Sequence, residues 1–227
     1  MSLPKGSEEY KESWDQFFET VNKPCCCPFC QGRRIYWNGY RERSSSVIEG
    51  DRVVYLSDVL CRRVKCANRQ CKKSWTLRPP GLMPGRHYQL CVVASAARQF
   101  LFQSHSTLTS VAAAHQCCRR TLGRWLHWIA GIAKPSALIR RLSRLGALSS
   151  TELFAGRDNS RATGTRSRKI FERTARVFGL LEALGRAYGY EQSSFARMLE
   201  EMLSGRDRVT PLSFPSYPRT CPVTWGA

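Results

Sequence analysis

Carboxylates are the scarce side chains of this sequence: 17 Asp and Glu stand against 36 Lys and Arg, a formal net charge of +19 over 227 residues. Such a surplus repels itself unless a polyanion takes it up, and nucleic acid is the first candidate. Histidine is thin as well. The four histidines, His87, His105, His115 and His127, are scattered without ligand spacing. No Ser/His/Asp or paired-carboxylate arrangement stands out, so a redox or nuclease centre, and enzymatic activity in general, is not expected. A long uncharged apolar run is also missing, which argues against a membrane-spanning helix. The basic residues are spread over several segments instead of one amphipathic face, which argues against a membrane surface as the polyanion. No basic segment followed by an apolar one opens the chain, so a reducing, cytoplasmic and nucleoid-associated setting is expected. No collagen-like, coiled-coil or internal repeat is visible.

Cysteine is present in quantity, eleven in all. Cys27-Pro28-Phe29-Cys30-Gln31-Gly32 places two cysteines two residues apart in a tight turn, half of a metal site. Cys66-Ala67-Asn68-Arg69-Gln70-Cys71 supplies the other half, and β-branched, aromatic and turn residues lie between the pairs. The four cysteines Cys27, Cys30, Cys66 and Cys71 therefore read as a zinc ribbon holding one structural Zn2+. The spacing of four in the second pair leaves Cys61 as an alternative ligand, and Cys25 and Cys26 compete with Cys27. A disulfide framework, or plain burial of small side chains, is the competing use of these residues.

Taken in order, residues 1–24 are acidic, with Ser7 as a candidate N-cap and Tyr10, Trp14, Phe17 and Val21 along one side of a helix that packs or docks on a partner. Residues 25–77 form the ribbon. Asn38-Gly39 within 34–41 and Gly50-Asp51 within 47–55 predict hairpins, Val59 to Lys65 a third strand that delivers Cys66, and Lys73 to Leu77 a strand that leaves it. Prolines make 78–86 a linker. Residues 87–132 turn helical: Leu90, Val93, Ala97 and Leu101 recur three and four apart, and Ser104 to Thr107 can stop one helix and cap the next.

The run from Leu108 to Trp125 places Val111, Ala112, Cys117, Leu122 and Trp125 where a helix-turn-helix needs buried or small residues. Cys118, Arg119, Arg120, Gly123 and Arg124 are left facing outward, and with Thr121 they make the candidate DNA-reading set. Arginine pairs bidentately with guanine in a major groove. An ordinary amphipathic helix with a solvated basic face is the alternative. Gln116 occupies the turn position where Gly is commonest.

The order Cys27-Pro-Phe-Cys30, Trp37-Asn-Gly-Tyr-Arg41, Val64-Lys-Cys66, Cys71, Trp75-Thr-Leu, a proline-rich hinge with Tyr88, and Arg120-Thr-Leu-Gly-Arg-Trp125 resembles a zinc-ribbon and helix-turn-helix module. Such modules occur in proteins of bacterial insertion sequences and at the front of some transposases. The resemblance covers about residues 25–130 and implies a role in transposition or DNA recombination. The second knuckle and Gln116 are the departures.

Residues 133–204 read as a C-terminal helical region too short and too helical for a catalytic domain with three metal-binding carboxylates. Ile139, Leu142, Leu145 and Leu148 form a stripe, with Arg140, Arg141 and Arg144 turned away. Residues 157–169 lack apolar side chains and read as a flexible basic connector, whose Arg161, Arg166, Arg168 and Lys169 contact phosphate or are simply solvated. Helices resume at Ile170, with Phe171, Val177, Leu181 and Leu184 on one face, and a last helix capped by Ser193 or Ser194 bears Phe195, Met198, Leu199 and Met202. Residues 205–227 are an extended Pro-rich tail that either docks on a partner or is disordered.

The fold class expected is α+β, a small β zinc ribbon followed by a helix-turn-helix region and C-terminal helices. The function expected is a DNA-binding accessory or targeting protein of a bacterial mobile element. It would bind double-stranded DNA beside a separately encoded transposase, and could form a homodimer. A dimeric helix-turn-helix transcriptional regulator is the alternative.

Overall fold

The computed structural model describes residues 7–49, 52–77, 79, 81–83, 88–147, 165–190 and 194–203. Within them lie a three-stranded antiparallel sheet and seven helices, an α+β composition. The chain divides into two compact units, one running to Leu90 and the other from Cys91 to Met202. The tail expected at 205–227, Arg161, Leu148 and most of the linker lie outside the described residues.

The first unit opens with α1 (Ser7–Thr20), whose Tyr10, Trp14 and Phe17 are buried together with Val21. The aromatic stripe is thus a packing face. Ser7 is the first helical residue, and its backbone N–H and hydroxyl both donate to the Glu49 carboxylate, at 3.1 and 2.6 Å. These bonds hold the Glu49 pKa below its ordinary value.

Strands β1 (Ile35–Glu49) and β2 (Arg52–Cys66) pair antiparallel along their whole length, and β3 (Ser74–Thr76) adds to the free side of β2. Glu49 pairs with Arg52, so the connection there is two residues long, as the Gly-Asp pair suggests. The Asn38-Gly39 pair is not a hairpin turn. Trp37 pairs with Val64 and Tyr40 with Arg62, so residues 38 and 39 form a bulge opposite Arg63, with Gly39 at φ 73°. A bulge and a hairpin turn need the same positive φ, and one dipeptide serves either. Val59 to Lys65 is likewise part of β2 and not a separate strand.

The core of this unit is Phe17, Val21, Cys27, Ile35, Val64, Cys66 and Leu77, with Cys71 and Trp75 packed against it. Two of the buried residues of that cluster are cysteines. Two of the candidate metal-binding cysteines are therefore part of the apolar core itself.

In the second unit, α2 (Leu90–Phe102) buries Leu90, Val93, Ala97 and Leu101 as its periodicity predicts. Ser106 ends it by donating its hydroxyl to the carbonyls of Gln99 and Gln103, both at 2.8 Å. Thr107 then caps α3 (Leu108–Ala114) in a reciprocal pair with Ser110. Residues 115–118 turn the chain into α4 (Arg119–Ile132), and Gln116 takes φ 49°. That left-handed conformation is the one for which Gly is favoured, and a non-glycine residue there costs about 1 kcal/mol.

Helix α5 (Pro135–Arg144) begins with proline, whose missing N–H is harmless in the first turn. Its apolar stripe is Leu138 and Leu142 rather than the stripe expected through Leu145, which is 44% exposed. The helix stops at Leu145 because Gly146, at φ 65°, closes it, with Ala147 N–H returning to the Leu142 carbonyl. Helix α6 (Thr165–Ala187) begins five residues earlier than Ile170, so 165–169 of the basic connector are helical. Tyr188-Gly189-Tyr190 ends it, and α7 (Ser194–Leu203) buries Phe195, Met198, Leu199 and Met202. Phe195 stacks on Phe178 of α6 at 4.2 Å between ring centroids.

Candidate functional site

The Sγ atoms of Cys27, Cys30, Cys66 and Cys71 all lie within 4.8 Å of one another. Cys27 and Cys71 are 3.7 Å apart, and Cys30 and Cys66 are 3.6 Å apart. Four thiolates about 2.3 Å from one tetrahedral ion would stand about 3.8 Å from each other. The donor set therefore fits a metal ion, and Cys25, Cys26 and Cys61 lie outside it.

Local backbone geometry builds this cluster from two similar loops. In the first, Gln31 N–H donates to the Cys27 carbonyl at 2.8 Å and Gln31 takes φ 59°. In the second, Lys72 N–H donates to the Asn68 carbonyl at 2.9 Å and Lys72 takes φ 50°. Asn68 thus occupies the place that Cys27 holds in the first loop, and the ligand has moved two residues back to Cys66 at the end of β2. This is how a spacing of four closes a site. Asn68 then supports the sulfurs instead of binding metal: its N–H donates to Cys66 Sγ at 3.4 Å and its Nδ2 to Cys30 Sγ at 3.8 Å. Gly32 faces the same cluster, and a β-carbon there would sit 3.3 Å from Cys30 Sγ.

Four thiols sharing one site cannot all lose their protons without a cation. The Gly32 N–H, with help from the neighbouring thiols, lowers Cys30 to about 7. Cys66 goes the other way. Asn68 N–H favours its thiolate, but burial and the three neighbouring sulfurs together push it up to about 12. Cys71 is raised as well: the Lys73 N–H favours its thiolate, but burial and the thiols of Cys30 and Cys27 outweigh it. One negative charge forms readily and the next are resisted, so a divalent cation is the natural complement.

The second candidate site is the exposed face of α4. Its inward face is Leu122, Trp125, Leu126 and Ile129, each at most 1% exposed. Helix α6 holds the far end of α4: Thr174 Oγ1 donates to the Leu126 carbonyl at 3.0 Å and Arg173 Nε to the Ala130 carbonyl at 2.8 Å. Val111 and Ala112 of α3 are buried as expected and Cys117 partly so. Arg119, Arg120 and Arg124 remain exposed on the first half of the helix, brought together as the spacing predicts.

Cys118 is exposed at the N-cap, and Thr121 is half-buried with its hydroxyl 3.2 Å from Cys118 Sγ. That hydroxyl and the first backbone N–H groups lower the Cys118 pKa, whereas burial raises Cys117 to about 11. The connector residues are less uniform. Arg168 and Lys169 are exposed on the first turns of α6, and Arg168 pairs with Glu172 at 2.9 Å. Arg166 lies on the same helix, its side chain outside the described residues.

Residue patterns do not signal Asn68 as a supporting residue, although the extra two positions between Cys66 and Cys71 do mark the loop as unusual. Nor do they signal that Arg62 lies over both Phe18 and Trp37, at 4.7 and 5.1 Å from the ring centroids. Among the described residues no helix is long and apolar enough to cross a membrane. The chain matches no family model, and no curated protein or solved structure matches it.

Proposed function

We propose that the chain is a zinc-stabilised DNA-binding protein, in which a zinc ribbon and a helix-turn-helix serve an accessory or targeting role beside a separately encoded transposase. The observation that carries the DNA reading is the contrast across α4. One face is sealed by core residues and by the Thr174 and Arg173 bonds, while Arg119, Arg120 and Arg124 stand free in solvent on the other. A net charge of +19 supplies the attraction to phosphate. Arginines at the start of a helix suit both phosphate contact and base edges in a major groove.

Zinc is the metal proposed because a closed set of four thiolates in a structural role suits an ion with no redox chemistry. Bound there, it neutralises the thiolates and ties Cys27 and Cys30 to the end of β2. The mobile-element setting is supported by the motif order over residues 25–130.

Selection from a pool of random duplex DNA tests the reading. The intact chain should enrich a sequence motif, and an Arg119→Ala, Arg120→Ala, Arg124→Ala variant should lose that enrichment. Equal recovery of random sequence by both proteins would refute base reading by α4.

A further inference from the structure

A second surface, in the first unit, has a chemistry of its own. Burying an aromatic side chain is among the largest sources of folding energy, so rings left in water along one strand ask for an occupant. Trp37 is 37% exposed and Tyr40 60% exposed, on β1. The register places Trp37 opposite Val64 and Tyr40 opposite Arg62, so both rings lie on the sheet face that carries Arg62 and Phe18 of α1. The Arg62 guanidinium lies over the rings of Phe18 and Trp37, its Nε donates to the Phe18 carbonyl at 3.1 Å, and the Phe18 and Tyr40 rings meet edge to face at 6.1 Å. The cation is fixed in place between rings before any ligand arrives.

Charge narrows the occupant. Residues 31–41 and 59–66 contain Arg33, Arg34, Arg41, Arg62, Arg63 and Lys65 and no carboxylate, with Glu42 the first acid beyond them along β1. Arg62 shares the face of the rings while Arg41, Arg63 and Lys65 alternate to the other side of the sheet, and with the net charge of +19 this basic stretch favours a polyanion as the occupant. Exposed ring faces beside a fixed guanidinium stack unpaired bases, whereas a duplex keeps its bases stacked inside. We infer that the Trp37, Tyr40 and Arg62 face of the first unit binds single-stranded nucleic acid, independently of the duplex proposed for α4.

The test uses the full metal-loaded chain with fluorescein-labelled oligothymidine, and a duplex of equal length for comparison. Trp37→Ala and Tyr40→Ala should each weaken single-strand binding by at least about fivefold, the low end for one base stacked on one ring. Trp37→Phe, which keeps a ring, should retain most of the affinity. Metal content and circular dichroism should be unchanged, since both side chains are at the surface. The triple arginine variant of α4 should keep its single-strand affinity, so failure of either proposal shows separately. Absence of oligothymidine binding by the intact chain, or equal affinity in the Trp37→Ala, Tyr40→Ala double variant, would overturn the inference. So would an equal loss of duplex and single-strand binding in that double variant.

Discussion

Asn68 shows how much one residue decides in the metal loop. By backbone geometry it stands where Cys27 stands in the first loop, yet it contributes two donors to sulfur, and Cys66 takes the place in the four-cysteine cluster. Supporting donors of this kind typically tune metal affinity by about 10- to 100-fold. Asn68→Ala should therefore lower zinc affinity by about tenfold in competition with a chelator while the loaded protein keeps its fold. Cys66→Ser removes a ligand from the core itself. Structural zinc contributes about 10 to 16 kcal/mol of apparent free energy in small domains, so this variant should lose its metal and the circular dichroism of the first unit; one equivalent of retained zinc at native stability would contradict the four-ligand site. Proton release gives an independent check. At neutral pH zinc must displace protons at least from Cys66 and Cys71, both raised above the ordinary thiol value. The logarithm of affinity should then rise by about two or more per pH unit near pH 7.

At the scale of elements, the end of α3 is tied to α2 by a buried histidine that the sequence presents only as one of four scattered ones. His115 is 6% exposed, with Nδ1 3.0 Å from the Val111 carbonyl and Nε2 3.1 Å from Ser95 Oγ. The first contact needs Nδ1–H as donor and the second leaves Nε2 to accept from the serine. Burial lowers its pKa. The unfolded chain takes up the proton more readily, so the neutral ring contributes stability above the unfolded value of about 6.5, and that contribution is lost as pH falls below it. The melting temperature of the second unit should decline over that range, and His115→Asn should remove this part of the pH dependence; an unchanged profile in the variant would rule His115 out as the titrating group.

Elements defined by strong periodicity or by ligand spacing are legible in the residues. The stripes of α1, α2 and α7 and the four cysteines stand where those patterns put them. Elements that depend on a single backbone choice are not. Asn38-Gly39 marks positive φ without saying bulge or turn, Gly146 ends the α5 stripe two residues past Arg144, and the polar residues 165–169 join α6 although Arg168 and Lys169 are exposed. Arg62 over Phe18 and Trp37 joins residues 44 and 25 positions apart in the chain, a pairing that the strand register and the packing of α1 on the sheet create together.

For the whole molecule, the central matter is where +19 charges are used. A basic protein can bind DNA through diffuse attraction alone, in which case three arginines on one helix would contribute in proportion to their number and no sequence would be preferred. If α4 docks as proposed, its arginines are phosphate and base contacts that release counterions, each changing the slope of log affinity against log salt by about 0.9 on duplex DNA. The most direct measurement is a salt titration of duplex binding by the intact chain and by the Arg119→Ala, Arg120→Ala, Arg124→Ala variant, both loaded with zinc. The variant should show a slope shallower by up to about 2.7, together with loss of preference for the selected motif over random duplex. Equal slopes and equal preference in the two proteins would contradict that docking, and would place the DNA contact away from α4.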